Sequence, residues 1–511
     1  MFRISQLKSF VIVVLWSINV FCSVAQTGNP INFAIKQEVD RNLNSLKMEG
    51  FPSPFFISYA ISDLHHLKVE ASFGAVTQSF ETHERTGLPF VLVGNFQRNN
   101  LKYVYEFPGL PQKVSLDNDP TAIGFAIWTD LDKEYKRAVR AYESKKGLLS
   151  QTTLMPEEQA LPDYEQTPAV NLMLPPAEIN MNRNYWENYA RAASALVNKY
   201  PEIINSNVKV ELKNRMNYYY DTEGCQFAVP DVYCDITFNA YVMTENGEEL
   251  WSGLHYYHSS TDKIPGLEIF LNDCEKKITH LLRLKNAPLA EKPYSGPVLY
   301  EKTSLIWVFI LNLLNNQLSA TGKLLNGSGG NSLEMMTGEK IISNQLTVKS
   351  LSGTKIYKGQ ILDGYFPIDS EGVVPPEELT LIENGVLKNM LSNRIPTVKN
   401  PHSNGHYRFD FLTSTMRRYI EHGVLQITGN NAFPDADMKQ ELINAARRTG
   451  LEYAYIIGDS ITRVYVADGR EELVRGIESN SHFLKINLFK RILGVSDEVF
   501  IYSRQNLGVV K

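Results

Sequence analysis

The residues best suited to chemistry are few and scattered along the 511-residue chain, which holds ten histidines and four cysteines. His255-Tyr-Tyr-His258 has the composition of a metal pair. It lies in a strand-like run, where residues three apart point to opposite faces, so a structural or surface role is the stronger reading. His65-His66 are adjacent and diverge for the same reason. His402, His406 and Asp410 form the best remaining His/carboxylate cluster. On a helix the two imidazoles would share a face, but Pro401 and Gly405 call for a loop, which makes a metal site there the weaker reading. Thr303, Ser304 and Ser319 offer hydroxyls, yet no Gly-x-Ser-x-Gly elbow is present and no partner histidine can be named. Helix capping is the better role for Ser304. Asn326-Gly-Ser-Gly-Gly330 lacks the Lys-Ser/Thr of a phosphate loop and reads as a flexible loop that closes over or lines a cavity. Glu371 with Glu377 and Glu378 reads as a solvated turn.

The elements that must position these residues alternate between helix and strand. Ile31 to Leu46 is an amphipathic helix. Phe55–Ile61, Leu67–Phe73 and Phe90–Phe96 are strand-like. A second helix begins near Thr129, capped by its hydroxyl, and ends near Gly147. Residues 148–181 carry five prolines without apolar periodicity and form a linker, partly extended and laid over the surface. A helix over Asn184–Tyr200 follows, then a strand at Val208–Leu212. A longer alternating strand at Val232–Val242 turns back at Asn246-Gly247. Leu267–Leu284 is helical. In the last third, Pro297–Tyr300 is a short strand and Ser304–Leu318 a buried helix, too short to span a bilayer. Asn384-Gly385 and Asp468-Gly469 mark two hairpins, with a helix over Asp435–Arg448 between them.

Length and composition place the chain among globular proteins of two or three domains. A formal charge of −5 and pI near 6.1 make nucleic acid an unlikely partner. Arg3 and Lys8, the apolar run Phe10–Phe21 and Ser23-Val24-Ala25 make a cleavable signal peptide over 1–25, cut after Ala25. A periplasmic or secreted location follows, with no membrane span in the mature chain. In that oxidising setting Cys225, Cys234 and Cys274 cannot all pair within one chain. A local Cys225–Cys234 disulfide and buried free thiols both remain open.

Four stretches in order resemble the TldD/PmbA family of metallopeptidase-like proteins, also called modulators of DNA gyrase. They are Tyr294-Ser-Gly-Pro-Val-Leu-Tyr-Glu301, Ile368-Asp-Ser-Glu-Gly-Val-Val-Pro-Pro-Glu-Glu-Leu-Thr-Leu-Ile-Glu-Asn-Gly-Val-Leu-Lys388, Ser403-Asn-Gly-His-Tyr-Arg408 and Asp468–Gly476. Asp221-Thr-Glu-Gly224 sits where the family has a related Gly turn, and Trp128–Lys146 looks like its exported branch. The resemblance implies an α+β fold: an N-terminal α/β unit plus a C-terminal domain of mixed, mainly antiparallel β-sheet with a buried helix. The order of elements divides the chain into a signal peptide (1–25), an N-terminal α/β domain (26–147), a Pro-rich linker (148–181), a middle α/β unit (182–293) and a C-terminal TldD/PmbA-like domain (294–511). The resemblance also implies dimers, homo- or heterodimeric with a homologue, around a cavity that admits peptide or unfolded polypeptide.

Active members place His-Glu-x-x-x-His on the helix after the Gly-Pro-Val strand, and a downstream Cys adds a ligand. A catalytic zinc wants about three protein ligands and one open position. Residues 302–332 contain no His, Glu, Asp or Cys, and no Cys follows Cys274. The family's zinc is therefore not expected, and no catalytic residue is assigned. The chain also stops soon after Ile501, ahead of the family's final strands. The sequence reading is a catalytically inactive partner or peptide-binding subunit. Its binding candidates are the motif-loop residues Gly372, Asn384, Gly385, Asn404, Gly405 and Arg408. An active hydrolase using other residues and a ligand-free envelope scaffold are the rivals.

Overall fold

A computed structural model describes residues 29–94, 111–151, 153–290, 294–309, 313, 318–320, 333–409, 418–476 and 486–503. The signal segment, Asn326–Gly330 and Asp410 lie outside them.

Two long antiparallel pairings dominate the first half. Helix α1 (Pro30–Ser45) opens on Asn29, whose side chain accepts from the Ile31 amide. Strands β1 (Pro54–Ser72) and β2 (Ala75–Val93) form a hairpin through Phe73-Gly74, and β3 (Gln112–Lys113) edges it. Helix α2 (Pro120–Leu149) and the single turn α3 (Pro156–Gln159) lead to β4 (Asn171–Met173). Then follow helix α4 (Arg183–Ala195), β5 (Ile203–Asp221), β6 (Gln226–Met243), β7 (Glu249–His258) and helix α5 (Leu267–Lys285). The strands make one sheet in the order β3-β2-β1-β5-β6-β4, with β7 also on β6. The segments 26–147 and 182–293 therefore share a sheet, because β1 pairs β5 from Ser58–Asp221 to Ala71–Val208. At about 3.3 Å per residue, a 19-residue strand runs roughly 60 Å. That is long enough for two helix pairs to sit side by side on one face. Over one end, Ile35, Val39, Ile127 and Leu131 of α1 and α2 cover Ile57, Ile61 and Tyr218. Over the other, Trp186, Phe270 and Ile278 of α4 and α5 cover Val69, Val210, Cys234 and Ile236.

Two sequence readings change here. Helix α2 starts nine residues before Thr129, at Pro120. Thr129 is interior, and its hydroxyl donates to the Phe125 carbonyl rather than capping an amide. The segment 148–181 is more than a surface tether. Its β4 joins the sheet edge in parallel with β6, and Tyr164 is fully buried.

The second half is mainly antiparallel. It contains β8 (Val298–Tyr300), helix α6 (Lys302–Phe309), β9 (Leu346–Ser350), β10 (Ile356–Tyr357), β11 (Gln360–Ile361), β12 (Leu379–Glu383) and β13 (Val386–Leu387). After these come β14 (Tyr407–Phe409), β15 (Arg418–Ile420), β16 (Val424–Gly429), helix α7 (Met438–Arg448), β17 (Tyr453–Ile457), β18 (Ile461–Tyr465), β19 (Glu471–Val474) and β20 (Phe500–Ser503). One sheet runs β13-β12-β9-β16-β20 and another β19-β18-β17-β8, in which β8 alone is parallel to its neighbour β17. The whole is an α+β fold. Of the helix foreseen over 304–318, residues to Phe309 are helical, and Val308, Phe309 and Leu313 are buried against Leu381, Leu425 and Phe489. Ser304 does not cap it. Its hydroxyl donates to the carbonyls of Glu301 and Ile457, tying the helix start to β17. Residues 500–503 form β20 against β16.

Candidate functional site

The helix-free face of the large sheet meets the second half of the chain at two turns of the same design. Asp221-Thr-Glu-Gly224 follows β5. Asp369-Ser-Glu-Gly372 lies between β11 and β12. In the first, Asp221 Oδ1 accepts from the amides of Glu223 (2.9 Å) and Cys225 (3.0 Å). In the second, Asp369 Oδ1 accepts from Glu371 and Val373 (2.9 Å each). The Asp amide donates to the carbonyl four residues on in both, at 3.1 and 2.8 Å. Each glycine takes positive φ, +89° at Gly224 and +83° at Gly372, which a side chain would resist. An Asx turn closed by a left-handed glycine explains both loops.

The turns face each other. A Cβ on Gly372 would lie 2.4 Å from Cys225 Sγ. Arg394, itself fully buried, joins them. Its guanidinium reaches Asp221 (Nη1–Oδ2 3.6 Å) and pairs with Glu223, while its Nε donates to the Glu165 carbonyl at 2.8 Å. Its backbone amide donates to Glu371 Oε2 at 2.8 Å. The guanidinium plane also covers Tyr164 (4.2 Å to the ring centroid) and Phe56 (5.1 Å). Such stacking suits a planar, weakly hydrated cation in a dry site. Burial pushes the Asp221 carboxyl up to about 6, against the pull of Arg394. Burial likewise raises Asp369, although three backbone amides and Arg394 favour its charged form. It also lifts the Cys225 thiol to about 12, so this cysteine is an inert packing group. Glu371 is buried, not solvated as its sequence suggested, because its carboxylate is enlisted by Arg394.

The six motif-loop candidates fall into two places. Gly372, Asn404, Gly405 and Arg408 lie together. The Tyr407 amide donates to Asp369 Oδ2 (3.1 Å), and Gly405, at φ +72°, abuts the Val373–Pro375 backbone. Asn404 accepts from the Ser392 amide (2.8 Å) and donates to the Met390 carbonyl (2.7 Å). Arg408 stacks on Phe366 at 3.8 Å. Asn384 and Gly385 lie elsewhere, at the β12–β13 turn, with φ of +49° and +79°. Asn384 accepts from Asn430, and Gly385 is wedged against the Ile342 and Ser343 carbonyls.

His406 is the centre of a second, smaller array. Its Nδ1 faces Asn404 O (2.8 Å) and Oδ1 (2.9 Å), both acceptors, so Nδ1 carries the proton. Nε2 then accepts from Ser350 Oγ at 2.9 Å, and Ser352 Oγ lies 2.8 Å beyond. The order Asn-His-Ser has the polarity of a nucleophile relay. Ser350 and His406 are 1% and 0% exposed, however, and burial lowers the His406 imidazole to about 3. The array serves as a satisfied buried network. His402 instead contacts Glu165 at 2.9 Å, so the two histidines do not converge. His255 pairs with Asp235 and His258 with Asp363, on opposite sides of β7. Cys225, Cys234 and Cys274 are free and buried, which removes the local disulfide from consideration. Among the described residues no three His, Cys, Asp or Glu converge as a metal site, and no helix is long and apolar enough to cross a membrane.

Sequence reasoning missed Arg394 and Tyr164, and it gave Glu223 no role beyond its place in the Asp221–Gly224 motif. The available signal was the repeated Asp-x-Glu-Gly at 221 and 369.

Fold and motif loops together define a two-part α+β protein. Residues 308–499 match the family model of the PmbA/TldA metallopeptidase C-terminal domain. That stretch of the chain is therefore a domain of this family. A comparison with curated protein sequences finds no match. Solved structures with a similar fold include a protein named for modulation of DNA gyrase from Thermotoga maritima, with TM-score 0.56 and 14% identity, over 91% of this chain and 95% of that one. TldE from Thermococcus kodakarensis gives TM-score 0.55 and 12% identity over 92% and 94%. A second protein named for modulation of DNA gyrase, from Bacteroides thetaiotaomicron, gives 0.53 and 11% over 92% and 97%. At these identities the likeness is one of fold. The zinc that the family implies does not fit this chain, because residues 302–332 supply no imidazole, thiol or carboxylate to hold it.

Proposed function

We propose that this protein is an exported, catalytically silent member of its family that binds extended peptide or pairs with an active homologue. The observation that carries the reading is the ligand-free stretch 302–332 inside an otherwise recognisable C-terminal domain. No single substitution would restore a zinc site with a general base there, since both imidazoles, the Glu and the downstream thiol are all missing. The intact turns at 369–372, 384–385 and 403–408 support a retained scaffold. Extended peptide would add by backbone hydrogen bonds to a strand edge, which needs no metal and little sequence preference. The N-terminal pattern of Arg3, Lys8, Phe10–Phe21 and Ser23-Val24-Ala25 supports export and cleavage after Ala25.

The test is calorimetry of the purified chain with unfolded peptides, beside a pull-down from the native envelope fraction. Peptide binding or capture of a homologous subunit is the outcome expected. Absence of both defeats the proposal and leaves a ligand-free scaffold.

A further inference from the structure

Four carboxylates meet one guanidinium where the two Asp-x-Glu-Gly turns dock. Asp221 and Asp369 are 0% and 1% exposed, Glu371 is 3% exposed, and Glu223 closes the group at its rim. Arg394 is the cation among them. Among the described residues, the other titratable groups around it do not redress the balance. Tyr219 donates to Asp221 Oδ2 at 3.1 Å, and Cys225 stays protonated. Tyr164 stacks on the guanidinium and Glu165 is engaged by His402. Lys145 and Asp163, beside Tyr164, neutralise each other at 2.5 Å. Closing the two halves therefore brings excess negative charge out of water. An unpaired buried carboxylate is costly enough that it takes up a proton instead.

We propose that the 221–225 and 369–373 turns with Arg394 form a proton-linked clasp, closed by protonation of Asp221 and Asp369, which tightens the junction between the sheet and the C-terminal domain as the medium acidifies. This inference is independent of any peptide ligand. The direction follows from linkage. A carboxyl raised to about 6 in the closed form and near 3.9 when exposed leaves the closed form protonated and the open form charged between those values. Closure is then indifferent to pH above about 7 and gains as pH falls through 6. From pH 7.5 to 5 each such group favours closure by about tenfold. His406 and His422 are buried within the C-terminal half. They oppose global stability at low pH but need not be exposed when the clasp opens.

The test is hydrogen exchange at the amides of Glu223, Cys225, Glu371 and Val373, the four held by the two aspartates, corrected for intrinsic rates at each pH. In the native chain, protection of these four should rise about tenfold or more from pH 7.5 to 5. In D221N/D369N, which mimics the protonated state, it should not change with pH. Equal pH dependence in both chains, or none in the native chain, overturns the clasp. Should the variant fail to fold, carbon-13 titration of the native carboxyls decides: both aspartates titrating below about 4.5 would overturn it, and at least one near 6 would support it.

Discussion

Arg394 is held from several sides. Its charge serves Asp221 and Glu223, its plane serves Tyr164 and Phe56, and its backbone serves Glu371 and Glu165. Replacing it with Met keeps bulk but leaves Asp221 buried and Glu223 half-buried without their cation. Breaking a buried pair in this way costs about 3–5 kcal/mol. R394M should lower the urea midpoint accordingly at pH 7.5, and R394K should recover only part, since lysine lacks the planar fork. Gly372 is the other sensitive position. G372A adds left-handed strain of about 1–3 kcal/mol and a clash with Cys225 Sγ. Paired with C225A, the clash term should vanish and the strain term persist, a non-additive result that denaturation of the four chains would reveal.

At the scale of elements, much was written in local sequence. The hairpins at Asn246-Gly247, Asn384-Gly385 and Asp468-Gly469 form where their residues accept positive φ. The β1–β2 hairpin was not legible, because its turn is Phe73-Gly74 and phenylalanine seldom sits at φ +49°. Helix α2 was cut short because Thr129 resembled a cap, while the true start at Pro120 is fixed by the Asp119 side chain and carbonyl before it. Glu371 was placed in solvent because a run of carboxylates usually is. Only the fold, which brings the Arg394 amide to its carboxylate, shows why it is buried. Element-scale electrostatics give a pH prediction. His406 and His422 are lowered by burial to about 3 and about 4. Unfolded histidine titrates near 6.5, so these two contribute stability above that value and lose it as pH falls towards 4. H406Q/H422Q should flatten the decline in denaturant midpoint between pH 6.5 and 4.5. An unchanged slope would show that other groups dominate.

The long sheet is covered by helices on one face, and its bare face meets the C-terminal domain through apolar contacts, such as Ile368 against Ala60, Tyr219 and Phe227, as well as through charge. Asp363 gathers His258, Ser259 and Lys263 at one point of that junction, and Arg394 gathers the paired turns at another. D363A should increase proteolytic cleavage in the 258–263 segment while leaving the cores of α4 and α5 protected from hydrogen exchange. That residues 302–332 contain no His, Glu, Asp or Cys is a matter of composition, readable wherever the backbone runs.

Elemental analysis of the purified, mature protein for zinc, run beside an unfolded-peptide cleavage assay with chelator controls, tests the absence of the family's metal chemistry most directly. The account predicts zinc far below one ion per chain and no chelator-sensitive cleavage. One tightly held zinc per chain, with peptide cleavage that the chelator abolishes, would contradict it.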